Sequence, residues 1–354
     1  MATRAGLPPF PTLGPELREC HVLALPAEVD AEQVEALAVS RFAAAGWDGV
    51  AGDDSAPARG LWSRGRTSPR ILRLSRHSRL VGPYLLGPGD AGRLGVPASA
   101  VTAYVVESLR ERGEPPYPGG DRDGLKRAFP DAMPVRDEER VVQWLVAAAR
   151  RVGGAVRIAG TGAVLVPDPH AMIDLTIYSD VWLEPAVALA VMRRVLPGAR
   201  LAMDAVQWAG PPPGTGEPGA AGTREMPAQT RRNLHAEADA YDVAALSAPD
   251  ELDGYAAQAD LGIDGILALE IGGEEVLPPV LGALAWTEGG AVRYAVRWEP
   301  PEFLELELEH PSFSHRVARG RVQPLVGALA RELHRAVGGE VLDASDFLID
   351  PADL

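Results

Sequence analysis

A helix followed by two glycines and a strand occurs twice in this chain of 354 residues. Residues 138–159 and 321–344 each have an amphipathic helical pattern that leads into Val-Gly-Gly-x-Val, at Val152–Val156 and Val337–Val341. Looser forms of the pattern occur at 31–50 and 184–203. Glycine readily takes the left-handed conformation that ends a helix, so unrelated helices can resemble each other here. The recurrence therefore leaves two explanations open, duplication of an αβ domain and a likeness imposed by helix endings.

Helix patterns and strand patterns are mixed along the chain. Helical periodicity predicts helices at 30–45, 96–113, 138–151, 185–196, 249–259 and 321–336. Apolar runs between them predict strands, among them 20–26, 70–85, 280–287 and 303–309. This mixture predicts an α+β fold in which helices pack on largely antiparallel sheets. The repeated αβ units are compatible with two related domains of the ferredoxin-like type.

The length and one Pro/Gly-rich segment indicate a division into domains. A chain of this length can hold two or three domains. We expect an N-terminal α+β block at 1–136, a middle αβ block at 137–208 that either joins it or stands apart, and a C-terminal α+β domain at 231–354. Residues 209–230 lack apolar anchors, which predicts a linker or a mobile loop.

Charge and cysteine content restrict the partners and the location. The net charge of −15 disfavours double-stranded nucleic acid and membranes as partners. Cys20 is the only cysteine, which excludes an intramolecular disulfide and a cysteine-based zinc or iron–sulfur site. The N-terminal residues lack the apolar core of a signal peptide, so we expect a cytoplasmic protein. Lys126 is the only lysine, and this preference for arginine is typical of a GC-rich bacterial genome.

Two polar clusters are candidates for chemistry. His235, Glu237 and Asp239 would share one face of a strand and could hold a divalent metal. The plainer interpretation is a polar stretch that leads out of a loop. His170 and Asp174 could form a hydrogen-bonded pair that orients a general base, or simply belong to a turn before a strand. No cofactor is predicted, and a divalent metal enters only with the enzyme hypothesis.

One basic and one acidic segment are candidates for anion or partner binding. The basic segment contains the arginines Arg70, Arg73, Arg76 and Arg79. Arginine suits bidentate recognition of carboxylate or phosphate. The acidic segment is 303–309, where leucines alternate with Glu305, Glu307 and Glu309. This alternation predicts a half-buried strand with an acidic face, which would oppose the arginines within one sheet or across a homodimer.

No catalytic or cofactor-binding motif stands out in the sequence. The Gly160-Thr-Gly162 loop lacks the lysine and the strand–loop–helix setting of a phosphate-binding loop. With few histidines and an acidic surface, the chain is best interpreted as a non-catalytic protein-binding factor of an accessory, regulatory or immunity type. The alternative is a metal-dependent or acid–base hydrolase-like enzyme whose site lies between the two blocks.

Overall fold

The computed structural model describes residues 6–12, 14–50, 68–202, 227, 229–230, 232–234, 236–237 and 253–354. Its helices are α1 Pro15–Arg18, α2 Ala31–Arg41, α3 Asp90–Leu94, α4 Leu125–Ala128, α5 Arg136–Val152, α6 Pro185–Val195 and α7 Phe313–Val337. Its strands are β1 His21–Pro26, β2 Gly46–Val50, β3 Arg70–Arg73, β4 Arg79–Leu85, β5 Ala100–Glu107, β6 Ala155–Arg157, β7 Val164–Leu165, β8 Leu175–Ser179, β9 Arg200–Leu201, β10 Gly254–Asp260, β11 Ile266–Glu274, β12 Ala291–Glu299, β13 Glu340–Asp343 and β14 Leu348–Ile349.

These strands form two sheets of seven strands each. The first has the order β2-β3-β4-β5-β1-β6-β7, and the second has the order β9-β10-β11-β12-β8-β13-β14. Neighbouring strands are antiparallel at every pairing within both sheets. The predicted α+β fold with largely antiparallel sheets is therefore confirmed.

Both sheets are built by the same path of the chain. Each begins with an inner strand, β1 or β8, and passes through a helix, α2 or α6, to an edge strand. Three further strands lead back from that edge to the first strand, and a long helix, α5 or α7, then leads to the last two strands. The two blocks thus share one topology, and duplication as its origin stays a proposal.

Two glycines follow each long helix for different reasons. Left-handed φ angles of 65° and 68° occur at Gly153 and Gly338. These residues end their helices in the conformation that glycine adopts without steric cost. A Cβ on Gly154 would lie 2.7 Å from the carbonyl oxygen of Ala24 in β1. A Cβ on Gly339 would collide with the carbonyl oxygen of Tyr178 in β8. The second glycine therefore lets each new strand enter beside the first strand of its block.

The long helices cover one face of each sheet. In the first block, α2 and α5 pack on a core that includes Leu23, Tyr104 and Trp144. Its other face is covered by α3 and by the N-terminal segment around Phe10. In the second block, α6 and α7 cover one face, and the 3-10 turns within 279–287 cover the other. Each sheet is thus covered by helices on one face and by shorter segments over part of the other, as in layered α+β domains.

The predicted helices at 96–113 and 249–259 are wrong, because both segments contain strands. Residues 100–107 form β5, which lies between β4 and β1 and has a run of buried residues from Thr102 to Val106. A strand that is buried on both faces gives a continuous apolar run, which periodicity cannot distinguish from a buried helix. Residues 254–260 form β10, whose inward residues alternate with polar ones despite an alanine-rich composition.

The predicted strands at 280–287 and 303–309 are also wrong. Residues 279–281 and 285–287 form 3-10 turns over the second sheet. Residues 303–307 form another 3-10 turn. The chain leaves the sheet after Glu299, where Pro300 and Pro301 cannot donate hydrogen bonds to a neighbouring strand. The alternation of leucine and glutamate therefore does not produce a strand here.

The chain passes from the first sheet to the second between Leu165 and Leu175. The predicted boundaries at 136 and 208 do not coincide with this passage, because the strands of 137–208 are divided between the two sheets. The predicted linker at 209–230 lies outside the described residues, apart from 227 and 229–230. Within the described ranges, no helix is long and apolar enough to span a bilayer.

Candidate functional site

Large apolar side chains are exposed at one end of the second sheet. They are Ile263, Phe303, Leu304, Leu308 and Phe313, which we call the apolar end. Their exposed fractions range from 44% to 82%, so these side chains are largely open to solvent. Single exposed apolar residues are ordinary, but a group of them is typical of a surface that binds another molecule.

Contacts around Trp298 hold two parts of the apolar end together. The indole N–H of Trp298 donates to the carbonyl oxygen of Asp264 at 2.7 Å, which fixes the turn that carries Ile263. The ring of His315 lies 5.0 Å from the ring of Trp298, between their centroids. The first turn of α7, which carries Phe313, therefore packs at the same end of the sheet as Ile263.

The 3-10 turn at Phe303–Glu307 is tied to the same place. The Glu305 carboxylate accepts a hydrogen bond of 2.7 Å from the backbone N–H of Ser312, the N-cap of α7. Leu306 packs inward against the core of the second block. With Leu306 directed inward, Phe303 and Leu304 are left on the solvent side of the turn.

Carboxylates are interspersed with residues of the apolar end along the chain. Five glutamates lie within 299–309. The Glu309 carboxylate pairs with Arg127, with a shortest N–O distance of 2.7 Å. Three others are exposed and make no ion pair within the part of the chain that the structure describes, namely Glu299, Glu302 and Glu307. Arg316 on the first turn of α7 adds an opposing charge. Exposed apolar side chains and exposed carboxylates therefore lie next to each other along this part of the chain.

A cleft of 680 Å³ lies between the two blocks. Its walls are the C-terminal end of α5, the segment 169–175 that joins the two sheets, and the middle of α7. Asp174 lines the cleft and accepts a hydrogen bond of 2.9 Å from the backbone N–H of Trp298. Burial raises the pKa of the Asp174 carboxyl, and this hydrogen bond only partly offsets the effect. Arginines also line the cleft: Arg150, Arg151 and Arg331.

No protein-family model, curated protein or solved structure matches the chain.

The predicted pairing of the arginine segment with the glutamate segment inside one sheet is wrong. The arginines lie on the first sheet, whereas the glutamates lie on a turn of the second block. Three of the arginines have local partners: Asp48 for Arg73, Glu107 for Arg79, and the Trp47 ring for Arg70. Arg76 is exposed in the turn between β3 and β4. Contact between the two segments across a homodimer stays a prediction.

The predicted hydrogen bond between His170 and Asp174 is not formed. The His170 side chain is exposed, and its backbone N–H donates to Asp168 at 2.9 Å. The Asp174 carboxylate instead accepts a hydrogen bond from the backbone N–H of Trp298. This contact lies just beyond the last residue pair that joins β8 and β12. The partner of Asp174 is thus Trp298, at the end of another strand and distant in sequence, and residue spacing could not predict it.

The predicted metal ligands are largely beyond the described part of the chain. His235 and Asp239 lie outside the described residues. Glu237 is described and is exposed. No group of three or more potential ligands is assembled elsewhere among the described residues. A metal at His235, Glu237 and Asp239 therefore stays a prediction.

Sequence reasoning missed a buried ionic network in the first block. Glu138 and His21 are each 1% exposed, and the His21 Nε2 lies 3.4 Å from a Glu138 oxygen. Arg112 donates two hydrogen bonds to the same carboxylate, at 3.0 and 2.6 Å. The backbone N–H of Ala159 donates to His21 Nδ1 at 3.1 Å, which leaves Nε2 to carry the proton of the neutral ring. In sequence, Glu138 resembles any acidic residue in a first helical turn.

Proposed function

We propose that the chain is a non-catalytic protein-binding factor, of an accessory, regulatory or immunity type, and that the apolar end binds its partner. The observation that carries the proposal is a group of exposed large apolar side chains beside exposed glutamates. Removing apolar side chains from water favours association, and the part of this gain that exceeds the entropy lost on binding appears as affinity. Aromatic residues such as Phe303 and Phe313 are typical of the centre of an interface.

The charges beside the apolar end favour a partner that is apolar and basic. Glu299, Glu302 and Glu307 are exposed and unpaired within the described ranges, and the chain carries a net charge of −15. A partner segment with apolar residues flanked by lysine or arginine would cover the apolar end and meet these carboxylates. Complementary charges mainly increase the association rate and exclude acidic competitors.

A designed peptide tests this chemistry directly. The probe is a fluorescent amphipathic peptide made of leucine and lysine, with a leucine–glutamate peptide of the same pattern as its counterpart. We expect the basic peptide to bind in fluorescence anisotropy, with an affinity that falls as salt rises, and the acidic peptide not to bind. The double substitution Phe303→Ser and Leu304→Ser should weaken binding about tenfold or more, as for two central interface residues.

Val276 supplies the matched control, because it is 84% exposed on another part of the second block. Val276→Ser should leave peptide affinity unchanged. A photo-crosslinking residue at Phe303, but not at Val276, should capture a protein whose crosslinked segment is basic. Equal peptide affinity in the wild type and the Phe303/Leu304 variant, or crosslinks from both positions alike, would contradict the proposal.

A second proposal is acid–base chemistry in the cleft between the blocks, which is supported by the raised pKa of Asp174. Burial that raises the pKa of a carboxyl favours its protonated form, which is the form that a general acid needs. A ¹³C NMR titration of the Asp174 carboxyl would measure this pKa. A value at or below that of ordinary aspartate would remove the support for this chemistry.

A further inference from the structure

The turn between β6 and β7 brings three arginines together. Backbone hydrogen bonds between Ile158 and Ala163 close this turn, at 2.8 Å from the Ile158 N–H to the Ala163 carbonyl oxygen. Gly160 and Gly162 have φ angles of 78° and 69° within it. A Cβ on Gly160 would lie 3.3 Å from Arg110 Nη2, and one on Gly162 would lie 2.9 Å from Arg157 Nη2. Glycine at both positions therefore lets two guanidinium groups pack against one turn.

Arg157 is the unusual member of this group. It is only 9% exposed and makes no ion pair or side-chain hydrogen bond in the described structure. Its Nη1 atom is fully buried and has no hydrogen-bond partner among the residues that the structure describes. Burial lowers the pKa of the Arg157 guanidinium, and the nearby positive charge of Arg18 lowers it further. A buried charge without a counter-charge is destabilising, so the folded chain holds Arg157 at a cost in free energy.

The other two arginines lie at the surface above Arg157. Arg18 is exposed and has no ion pair within the described residues. Arg110 pairs with Glu19, and both side chains are about half exposed. The backbone carbonyl of Arg18 accepts the N–H of Gly160 at 2.9 Å, which fixes α1 beside the turn. The guanidinium groups of Arg110 and Arg157 thus flank one surface turn with Arg18 close by, and Glu19 pairs with Arg110.

We propose that this cluster of Arg18, Arg110 and Arg157 is a binding site for a small oxyanion, with a phosphate group as the preferred ligand. A phosphate oxygen accepts charge-assisted hydrogen bonds from guanidinium groups, and arginine is the side chain best shaped to donate them. The ligand would supply the missing counter-charge to Arg157 through the Nε and Nη2 side of its guanidinium. It would also relieve the repulsion between Arg157 and Arg18.

The experiment measures the melting temperature of the full chain in sodium phosphate, sulfate, acetate and chloride at matched ionic strength. We expect phosphate to raise the melting temperature by about 5 °C at a hundredfold excess over its Kd, relative to chloride. Equilibrium dialysis with labelled phosphate should give one bound ion per chain. A rise with acetate that equals the rise with phosphate would assign the site to carboxylates and overturn the preference for phosphate.

Arg157→Met gives the sharpest test, because removing an unpaired buried charge should not destabilise the chain. In chloride, its melting temperature should equal or exceed that of the wild type, and phosphate should no longer raise it. Arg18→Gln changes an exposed residue that does not threaten folding, and it should weaken phosphate binding severalfold. Arg76→Gln, another exposed arginine, is the control and should keep full binding. The proposal is overturned if phosphate stabilises Arg157→Met and Arg18→Gln as much as the wild type, or stabilises none of them.

Discussion

At the scale of single residues, the buried carboxylate of Glu138 holds several elements of the first block in place. Burial opposes its ionisation, but the close contact with His21 and the hydrogen bonds from the Glu111 N–H and Arg112 outweigh burial and hold the pKa of Glu138 below the ordinary value of 4.5. A carboxylate that is buried and fully hydrogen bonded fixes the surrounding elements in one arrangement. Here it joins β1, the segment after β5 and the start of α5.

Glu138→Gln should lower the free energy of unfolding by about 3 kcal/mol, because it leaves Arg112 without its counter-charge. Urea unfolding followed by tryptophan fluorescence measures this change. Glu139→Gln is the matched control, since Glu139 is the next residue and accepts one hydrogen bond from Gln143. Its effect should be below about 0.5 kcal/mol. Equal losses in the two variants would refute the role given to Glu138.

The same network predicts the direction of a pH effect. Because the folded pKa of Glu138 lies below 4.5, its contribution to stability is fully present above that pH. It is lost as the pH falls through the lower, folded pKa. The stability difference between the wild type and Glu138→Gln should therefore be constant near neutral pH and shrink below about pH 4.5. A difference that is independent of pH down to pH 3, measured by urea unfolding, would contradict this assignment.

At the scale of elements, the repeated Gly-Gly pair has a structural cause in each block. The first glycine ends the long helix, and the second lies against a carbonyl of the first strand. The sequence recurrence thus corresponds to equivalent positions in one shared topology. Helix ending explains Gly153 and Gly338, and close contact with a neighbouring strand explains Gly154. Gly339 combines such a contact with a left-handed φ of 82°.

Alanine substitutions distinguish these two roles. Gly153→Ala should cost about 1–2 kcal/mol, which is the cost of a left-handed residue with a Cβ. Gly339→Ala should cost about 1–3 kcal/mol more than Gly338→Ala, because its Cβ would collide with a backbone carbonyl that cannot rotate away. Thermal unfolding of the four single variants, with Gly154→Ala completing the set, measures the order. Equal losses at the first and second glycine of a block would disprove the strand contact.

At the scale of the whole molecule, the turn between β13 and β14 connects the two blocks. Phe347 belongs to a turn of the second sheet, but it is 1% exposed and packs within the core of the first block. Beside it, the carbonyl oxygen of Ser345 accepts a hydrogen bond of 3.0 Å from Arg41 Nε, and Ser345 Oγ lies 3.3 Å from Arg150 Nη1. One aromatic side chain and two arginines therefore couple the blocks.

Phe347→Ala should lower the free energy of unfolding by about 3–5 kcal/mol, as for other buried phenylalanines. Because the Phe347 side chain contacts the core of the first block, the substitution should accelerate amide hydrogen exchange in β1 as well as in β8. Leu348→Ala is the control, since Leu348 is 42% exposed and should cost less than about 1 kcal/mol. Faster exchange confined to β13 and β14 would mean that the blocks are stabilised independently.

Features set by residues close together in the sequence could be predicted, whereas features set by distant residues could not. Asp30 was predicted to begin a helix, and it does so through a capping box in which Asp30 and Gln33 exchange hydrogen bonds. The alternating burial of β10 and the continuous apolar run of β5 can be interpreted only when the neighbouring strands are known. Both segments were therefore predicted as helices. At the candidate sites, the glutamates of 303–309 were recognised, but their partners and their 3-10 geometry were not.

The sequence by itself determined the α+β class, the long helices and the glycines that end them, because capping and periodicity act over a few residues. Only the tertiary structure decided which strands are buried on both faces, and it alone placed Phe347 in the core of the other block. It also left the apolar end exposed and, within the described part of the chain, Arg157 buried without a counter-charge. Burial and ion pairing depend on residues far apart in the chain, such as Glu138 and His21, and no local pattern encodes those distances.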